Sequence, residues 1–376
     1  MTALYVGLIS GTSMDGIDAA LVDFTGERPR LRHALNHPYP RDLHARLEQL
    51  LAPDWQGPVT EIGHLHAALG TRFGEAARHL LSAAGVSATD VRAIGSHGQT
   101  VCHAPSGDEA FSLQLADASR IAAVTGITTV ADFRSRDIAL GGQGAPLVPA
   151  FHAAVLGADD EHRVILNLGG IANVTDLPAG PARVIRGFDT GPANTLMDGW
   201  IRRHAGSHYD QGGAWAVSGT PIPALLGTLL EEPYLALPPP KSTGRELFNL
   251  AWLDRHLACW APGAAPADVQ ATLLEFTAVT VAEAIARHCG HPARVIACGG
   301  GAHNHALMRR LGELLPDSQV ESSADHDLPP DWVEAMTFAW LARQTLRGQP
   351  GNLPSVTGAR RAAVLGAITP VPDLDH

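Results

Sequence analysis

Val6-Gly7-Leu8-Ile9-Ser10-Gly11-Thr12-Ser13-Met14-Asp15-Gly16-Ile17-Asp18 is the stretch on which the fold turns. An apolar run ends in a turn of glycines, hydroxyls and carboxylates, and a second apolar run follows at once. The patterning predicts strands over 4–9 and 17–23, joined as a hairpin with its turn at 11–16. The same device, a short apolar strand running into glycines, returns at 164–173 (VILNLGGIAN) and 295–304 (VIACGGGAHN). Glycine at a strand end lets main-chain N–H groups converge on an anion with no side chain in the way. Neighbouring hydroxyls and carboxylates can meet phosphate oxygens and the water shell of Mg²⁺. Three such turns along one chain predict a nucleotide held between two lobes. Taken alone, Asp15-Gly16 fits an ordinary Asp-Gly hairpin turn equally well.

Composition bounds the answer. A chain of 376 residues predicts about two domains. Hydrophobic content of 45% and charged content of 17% belong to a folded protein. A formal net charge of −11 argues against a general nucleic-acid binder, which needs a basic face. Residues 1–9 are apolar without a basic lead-in, so they read as a first strand and not a signal peptide. No apolar run approaches the ~18 residues needed to span a bilayer. Cys102, Cys259, Cys289 and Cys298 show no C-x-x-C pairing, which leaves the cytoplasm as the expected compartment. Lys241 is the single lysine among 27 basic residues. Either chance put it there, or a compact ammonium serves where a planar guanidinium would not.

Helical spacing of Ile62, Leu65, Leu69, Phe73, Ala76 and Leu80 predicts a helix stopped by Gly85. Further strands are expected at 91–94, 111–115 and 127–131, with a loop at 95–100. The glycine-rich loop at 141–146 suggests the lobe boundary nearby: 1–131 plus about 350–376 in one lobe, 132–349 in the other. Beyond it come a strand carrying Asn167, a loop at 187–192 and a helix over 194–204. A long irregular loop at 238–245 precedes helices over 269–289, 304–315 and 331–347, and a last strand is expected over 362–367. The whole reads as α/β.

Several signatures are missing: G-x-x-x-x-G-K-[ST], G-x-G-x-x-G and G-x-S-x-G. Asp189 lies just before a proline-started helix, where the helix N-terminus would keep it ionised and ready to accept a proton. An N-capping role is the alternative, although Gly191 and Pro192 intervene. Among 19 histidines, His97 and His103 lack the spacing of a helical zinc pair. Glu334, three residues after Asp331, forms a D-x-x-E capping pattern.

Taken together, these residues resemble the anhydro-N-acetylmuramic acid kinases, within the sugar kinase/Hsp70/actin superfamily. The strings that carry the resemblance are 10–18 (SGTSMDGID), 96–103 (SHGQTVCH), 131–134 (ADFR) and 141–149 (GGQGAPLVP). They continue, in order, with 167–173 (NLGGIAN), 187–192 (GFDTGP), 239–246 (PPKSTGRE) and 298–304 (CGGGAHN). Ala193 and Ala116 stand where the family usually has glycine.

The resemblance implies a two-lobed actin-like (ribonuclease H-like) ATPase fold with nucleotide in the interlobe cleft. Lobe closure would exclude water that otherwise hydrolyses ATP. It implies an ATP- and Mg²⁺-dependent kinase of peptidoglycan recycling that opens the anhydro bridge of 1,6-anhydro-N-acetylmuramic acid and phosphorylates O6. Asp189 would be the base that activates water. Gly11, Thr12, Ser13, Met14, Asp15, Gly16, Ile17 and Asp18 would hold the phosphates, with Asp15 and Asp18 reaching the metal through water. Asn167, Gly169, Gly170, Gly299, Gly300, Gly301 and Asn304 would complete the ATP site, and His97, Arg134 and Glu334 would contact the sugar. The partners implied are small molecules and a second copy of the chain, with no nucleic acid and no membrane. An ordinary kinase of a free sugar hydroxyl is the nearer rival, and an actin- or chaperone-like ATPase the more distant one.

Overall fold

The computed structural model describes residues 3–11, 14, 16–52, 54–180 and 183–371. They form two compact units, one of 1–155 with 332–376 and one of 156–331.

In the first unit β1 (Leu4–Ser10), β2 (Gly16–Asp23) and β3 (Arg30–Pro38) form an antiparallel meander. Every residue of β1 is buried, because helices cover it and strands flank it on both sides. β4 (Val91–Ala104) lies parallel to β1 on the side away from β2. β5 (Phe111–Leu115) folds back on its far end, and β6 (Thr129–Ala131) adds in parallel. The helix Val59–Ala84 buries Leu65, Leu69, Phe73, Ala76 and Leu80 in the core beneath, at the spacing the sequence shows.

The second unit repeats the plan. β7 (Arg163–Leu168), β8 (Ile171–Leu177) and β9 (Arg186–Pro192) make an antiparallel meander. β10 (Arg294–Cys298) joins parallel to β7, and β11 (Gln319–Ser322) parallel to β10. With β5 set aside as a strand folded back on β4, each sheet carries the order third, second, first, fourth, fifth strand, the α/β topology of the actin-like fold. The chain then returns to the first unit, where β12 (Ala367–Thr369) pairs antiparallel with β6.

One feature departs from expectation and matters for the site. β4 runs without a break through 95–100, which the glycines made look like a loop. Gly95 lies under the helix Val333–Leu346, and a Cβ there would collide with the Phe338 carbonyl oxygen. The glycine marks a helix packed backbone-close on a strand, and that helix is buried on most of its faces. It packs on β1, β2 and β4, so Glu334 belongs to the first unit, although the sequence suggested the second lobe. The units divide near 155 and 331, whereas the sequence alone places the boundaries at 131 and about 350. The last strand lies at 367–369, beyond the expected 362–367.

The helix Pro266–His288 is long and apolar enough to cross a membrane by length and composition, but 78% of its most apolar window is buried in the protein. Its Val269, Leu273, Phe276, Val281 and Ile285 pack into the second core. The sequence reading found no such segment because four acidic or basic residues interrupt it: Asp268, Glu275, Glu283 and Arg287.

Candidate active site

The first unit gathers His97, Arg134, Glu334 and Asp18. Ser10 pairs with Gln99, so His97 on β4 lies level with the end of β1. Arg134 follows β6 and donates from Nε (3.1 Å) and Nη2 (2.8 Å) to Nε2 of His97. A guanidinium offers no acceptor, so Nε2 must be unprotonated and the proton sits on Nδ1, which donates to the Gly98 carbonyl at 3.0 Å. The histidine is therefore neutral, and burial followed by the Arg134 charge holds its pKa well below the usual value.

Arg134 also donates from Nη1 to the Gly144 carbonyl at 2.6 Å. Burial lowers its pKa to about 10 against the pull of Glu334 and Asp137. Water reaches the Glu334 side chain, yet the protein around it raises its pKa, Asp18 adds to the rise, and Arg134 opposes both. Asp18 itself accepts from Asn36 Nδ2 at 2.8 Å. Ile17 is fully buried, and Met14 N–H closes the turn on the Gly11 carbonyl at 3.2 Å. Thr12, Ser13 and Asp15 lie outside the described residues.

Asp137 escaped the sequence reading. It is fully buried, and Oδ1 accepts from Asn352 (2.6 Å) and Thr357 (2.8 Å), while Oδ2 accepts from Gly144 N–H (2.8 Å). That carboxylate ties the 141–144 loop, and through Gly144 the guanidinium of Arg134, to the C-terminal segment. A cavity of about 510 Å³ nearby, lined by Phe111, Ser135, Ile138 and Arg360 among others, contains none of the expected site residues.

In the second unit Asp189 lies on β9, not in a loop, paired with Asn173 of β8. It is not the cap of the helix Asn194–Ala205: Ala193 occupies that place. The N–H groups of Ala193, Asn194 and Thr195 are satisfied by the carbonyls of Gly169 and Gly170 in the β7–β8 turn. The methyl of Ala193 is accommodated in a fully buried position at φ −110°. Asp189 Oδ2 instead accepts from Thr243 N–H at 3.0 Å. Burial raises its pKa to about 6, with Glu246 adding, and Thr243 N–H and Lys241 opposing. Desolvation thus brings the carboxyl's pKa close to neutral pH, contrary to the lowering that a helix N-terminus would bring.

The third glycine turn is built for close approach. Gly299 has φ +78°, and a Cβ there would lie 2.5 Å from Asn167 Oδ1. Gly301 backs onto Leu168, whereas Gly300 faces open space. Asn304 accepts from Leu307 N–H at 3.1 Å and caps the helix His305–Leu314. Asp198, which lies in no motif, is a second carboxyl pushed by burial to about 6, with Arg202 and Arg245 opposing.

The repeated topology with glycine turns at its strand ends defines a member of the sugar kinase/Hsp70/actin class. A family model described as anhydro-N-acetylmuramic acid kinase matches residues 3–371. The chain belongs to the anhydro-N-acetylmuramic acid kinase family, and is a kinase of that family. A relative of that name from Xylella fastidiosa is 53% identical over 371 residues, covering 98% of this chain and 96% of its own. Another from Xanthomonas campestris pv. campestris is 54% identical over 373 residues, covering 98% and 97%. Among solved structures, an activator of 2-hydroxyisocaproyl-CoA dehydratase from Clostridium difficile with bound ADPNP is 11% identical, covering 92% and 96%, with a TM-score of 0.49.

Proposed function

We propose that the enzyme takes 1,6-anhydro-N-acetylmuramic acid and ATP to N-acetylmuramic acid 6-phosphate and ADP. A water oxygen bonds to C1 as the C1–O6 bond breaks. O6 bonds to the γ-phosphorus, and the bond from that phosphorus to the bridging oxygen breaks, releasing ADP. The proton lost by the water passes to Asp189.

The observation that carries this reading is the family match over residues 3–371, and the setting of Asp189 supports its chemistry. Its pKa of about 6 leaves it mostly ionised at pH 7 yet basic enough to take a proton, the compromise general-base catalysis favours. Thr243 N–H fixes one carboxylate oxygen, and no hydrogen bond to the other is found among the described residues. General-base assistance of this kind is worth about 10²–10⁴-fold in rate.

His97, Arg134 and Glu334 are the proposed sugar contacts. The neutral His97 and the buried cation Arg134 form one rigid unit, suited to an anionic or polar sugar substituent such as the lactyl carboxylate. Residues 11–18 would take the β- and γ-phosphates of ATP, and Asn167, Gly169, Gly170, Gly299, Gly300, Gly301 and Asn304 the rest of the nucleotide.

Asp18 offers the hard carboxylate oxygen that Mg²⁺ prefers, and Glu334 feels that charge, so local negative potential suits a divalent cation. Asp18 would hold the ion through water, together with Asp15. When bound, Mg²⁺ neutralises charge on the transferring phosphoryl group. The family resemblance further supports a cytoplasmic homodimer serving peptidoglycan recycling.

The test is turnover in ¹⁸O-labelled water, with products read quickly by mass spectrometry before the anomeric oxygen exchanges. One ¹⁸O at the anomeric position of the phosphorylated sugar, with product lost in Asp189→Asn, is the expected result. Phosphorylation of free N-acetylmuramic acid with none of the anhydro sugar would overturn the reading and leave an ordinary sugar kinase.

A further inference from the structure

The only lysine of the chain has no role in the chemistry described so far, yet its surroundings are specific. Its ammonium donates to the carbonyls of Leu235 (3.1 Å) and Tyr234 (3.4 Å) at the end of the short helix Pro233–Ala236. It also sits 4.8 Å from the centre of the Tyr234 ring. Tyr234 Oη in turn donates to the Asp189 carbonyl at 3.0 Å, and Asp189 N–H donates to the Lys241 carbonyl at 3.1 Å. These contacts close a ring: Lys241 to Tyr234, Tyr234 to Asp189, Asp189 back to Lys241. Two residues further along the same loop, Thr243 N–H grips the Asp189 carboxylate.

We infer that Lys241 is a positioning residue for the catalytic base, clamping the 239–246 loop and Tyr234 onto both backbone groups of Asp189. This rests on the assignment of Asp189 as the base. A short ammonium can donate to two adjacent carbonyls while resting on an aromatic face. A guanidinium is longer and planar, and its fork fits a carboxylate better than two carbonyls at a helix end. That supplies a physical reason for a lysine in a chain that otherwise uses arginine.

The charged and titratable groups around Asp189 define what its removal would do. Lys241 and Glu246 come from the loop and Tyr234 from the short helix. Arg287 and His288, at the end of the helix Pro266–His288, face Lys241. Lys241 favours the ionised carboxylate, whereas Glu246 disfavours it. Removing the ammonium therefore leaves Asp189 easier to protonate, and a base that must be unprotonated works only at higher pH.

The experiment measures pH profiles of kcat and kcat/KM for the full chain as wild type, Lys241→Met, Lys241→Arg, Tyr234→Phe and Asp189→Asn. Lys241→Met should lower kcat by roughly tenfold or more with KM for sugar and ATP nearly unchanged, because a misplaced base harms the chemical step alone. Its acid limb should move to higher pH. Lys241→Arg keeps the charge and should keep the limb while losing kcat. Tyr234→Phe, which breaks another side of the ring and keeps the lysine, should lower kcat without a comparable limb shift. Wild-type kcat and an unmoved limb in Lys241→Met would overturn the inference. Should that variant fail to fold, full kcat in both Lys241→Arg and Tyr234→Phe would do so. Activity retained in Asp189→Asn overturns the base assignment instead, so the two failures are distinct.

Discussion

Replacing Asp137 by alanine should cost more stability than its distance from any reacting atom suggests. The carboxylate is fully buried and accepts hydrogen bonds from Asn352, Thr357 and Gly144 N–H at 2.6, 2.8 and 2.8 Å. Deleting the acceptor leaves these donors inside the protein. Asn352 has a fallback in the Arg361 carbonyl at 3.4 Å and Thr357 in the Leu353 carbonyl at 3.3 Å, so each loses about 1 kcal/mol. Gly144 N–H has no second acceptor among the described residues and bears the full penalty of about 1–3 kcal/mol. The total, about 3–5 kcal/mol, matches the usual cost of breaking a buried charged network from one side. Asp137→Asn keeps one acceptor oxygen for Asn352 and Thr357 but turns an amide donor toward Gly144 N–H, so it should lose less, about 2 kcal/mol. Urea unfolding followed by circular dichroism measures both, with the loss falling on the transition of the unit that holds 1–155 and 332–376. The sugar KM should rise with it, since the Gly144 carbonyl anchors Arg134. A loss under about 1 kcal/mol for Asp137→Ala, or a larger loss for Asp137→Asn, would refute the accounting.

Two further outcomes follow from the geometry. A proposed base at Asp189 has to be unprotonated to act, so with a pKa of about 6 kcat/KM should fall as pH drops through that value. A tenfold loss is expected at about pH 5, and a limb near pH 4 would contradict the assignment. Gly95→Ala drives a Cβ into the Phe338 carbonyl and to within 3.1 Å of the Ala342 Cβ. Moving that helix should cost about 3 kcal/mol in unfolding free energy. It should also raise the sugar KM through Glu334, which the same helix carries.

The parts of the fold legible in the sequence are those with local causes. The hairpin of β1 and β2 follows from alternation around a glycine turn, and the helix Val59–Ala84 from a continuous apolar stripe ended by Gly85. What stayed hidden depends on partners far away in the chain. Gly95 looks like a loop residue until the backbone of Phe338 is seen against it. Asp189 seemed to lie at a helix start, yet it is a strand residue whose carboxylate answers to Thr243. Nothing in the sequence singles out Asp137, because the partners of its carboxylate, Asn352 and Thr357, come more than two hundred positions later. His97, Arg134 and Glu334 were each visible as motif residues, but no spacing rule could show that the first accepts hydrogen bonds from the second.

The repeated sheet order explains why the motif strings fall where they do along the chain. Each unit has one pair of parallel strands flanking the start of its meander, β1 with β4 and β7 with β10. Parallel strands point their carboxyl ends the same way, and ligands in open α/β sheets gather beyond those ends. Gly11 follows β1, His97 lies on β4 level with it, Gly169 follows β7 and Gly299 follows β10. The topology therefore brings Gly11, Gly169 and Gly299 to the carboxyl ends of parallel strands, and His97, within the longer β4, level with the last residues of β1. Asp189 and Lys241 stand outside that scheme: the proposed base lies on the third strand of its meander, which pairs only with the antiparallel β8 among the described residues. There the Asp189 N–H donates to the Lys241 carbonyl and the Asp189 carbonyl accepts from Tyr234 Oη, so the placing of the proposed base answers to the 239–246 loop and to one side chain beyond the strand order itself.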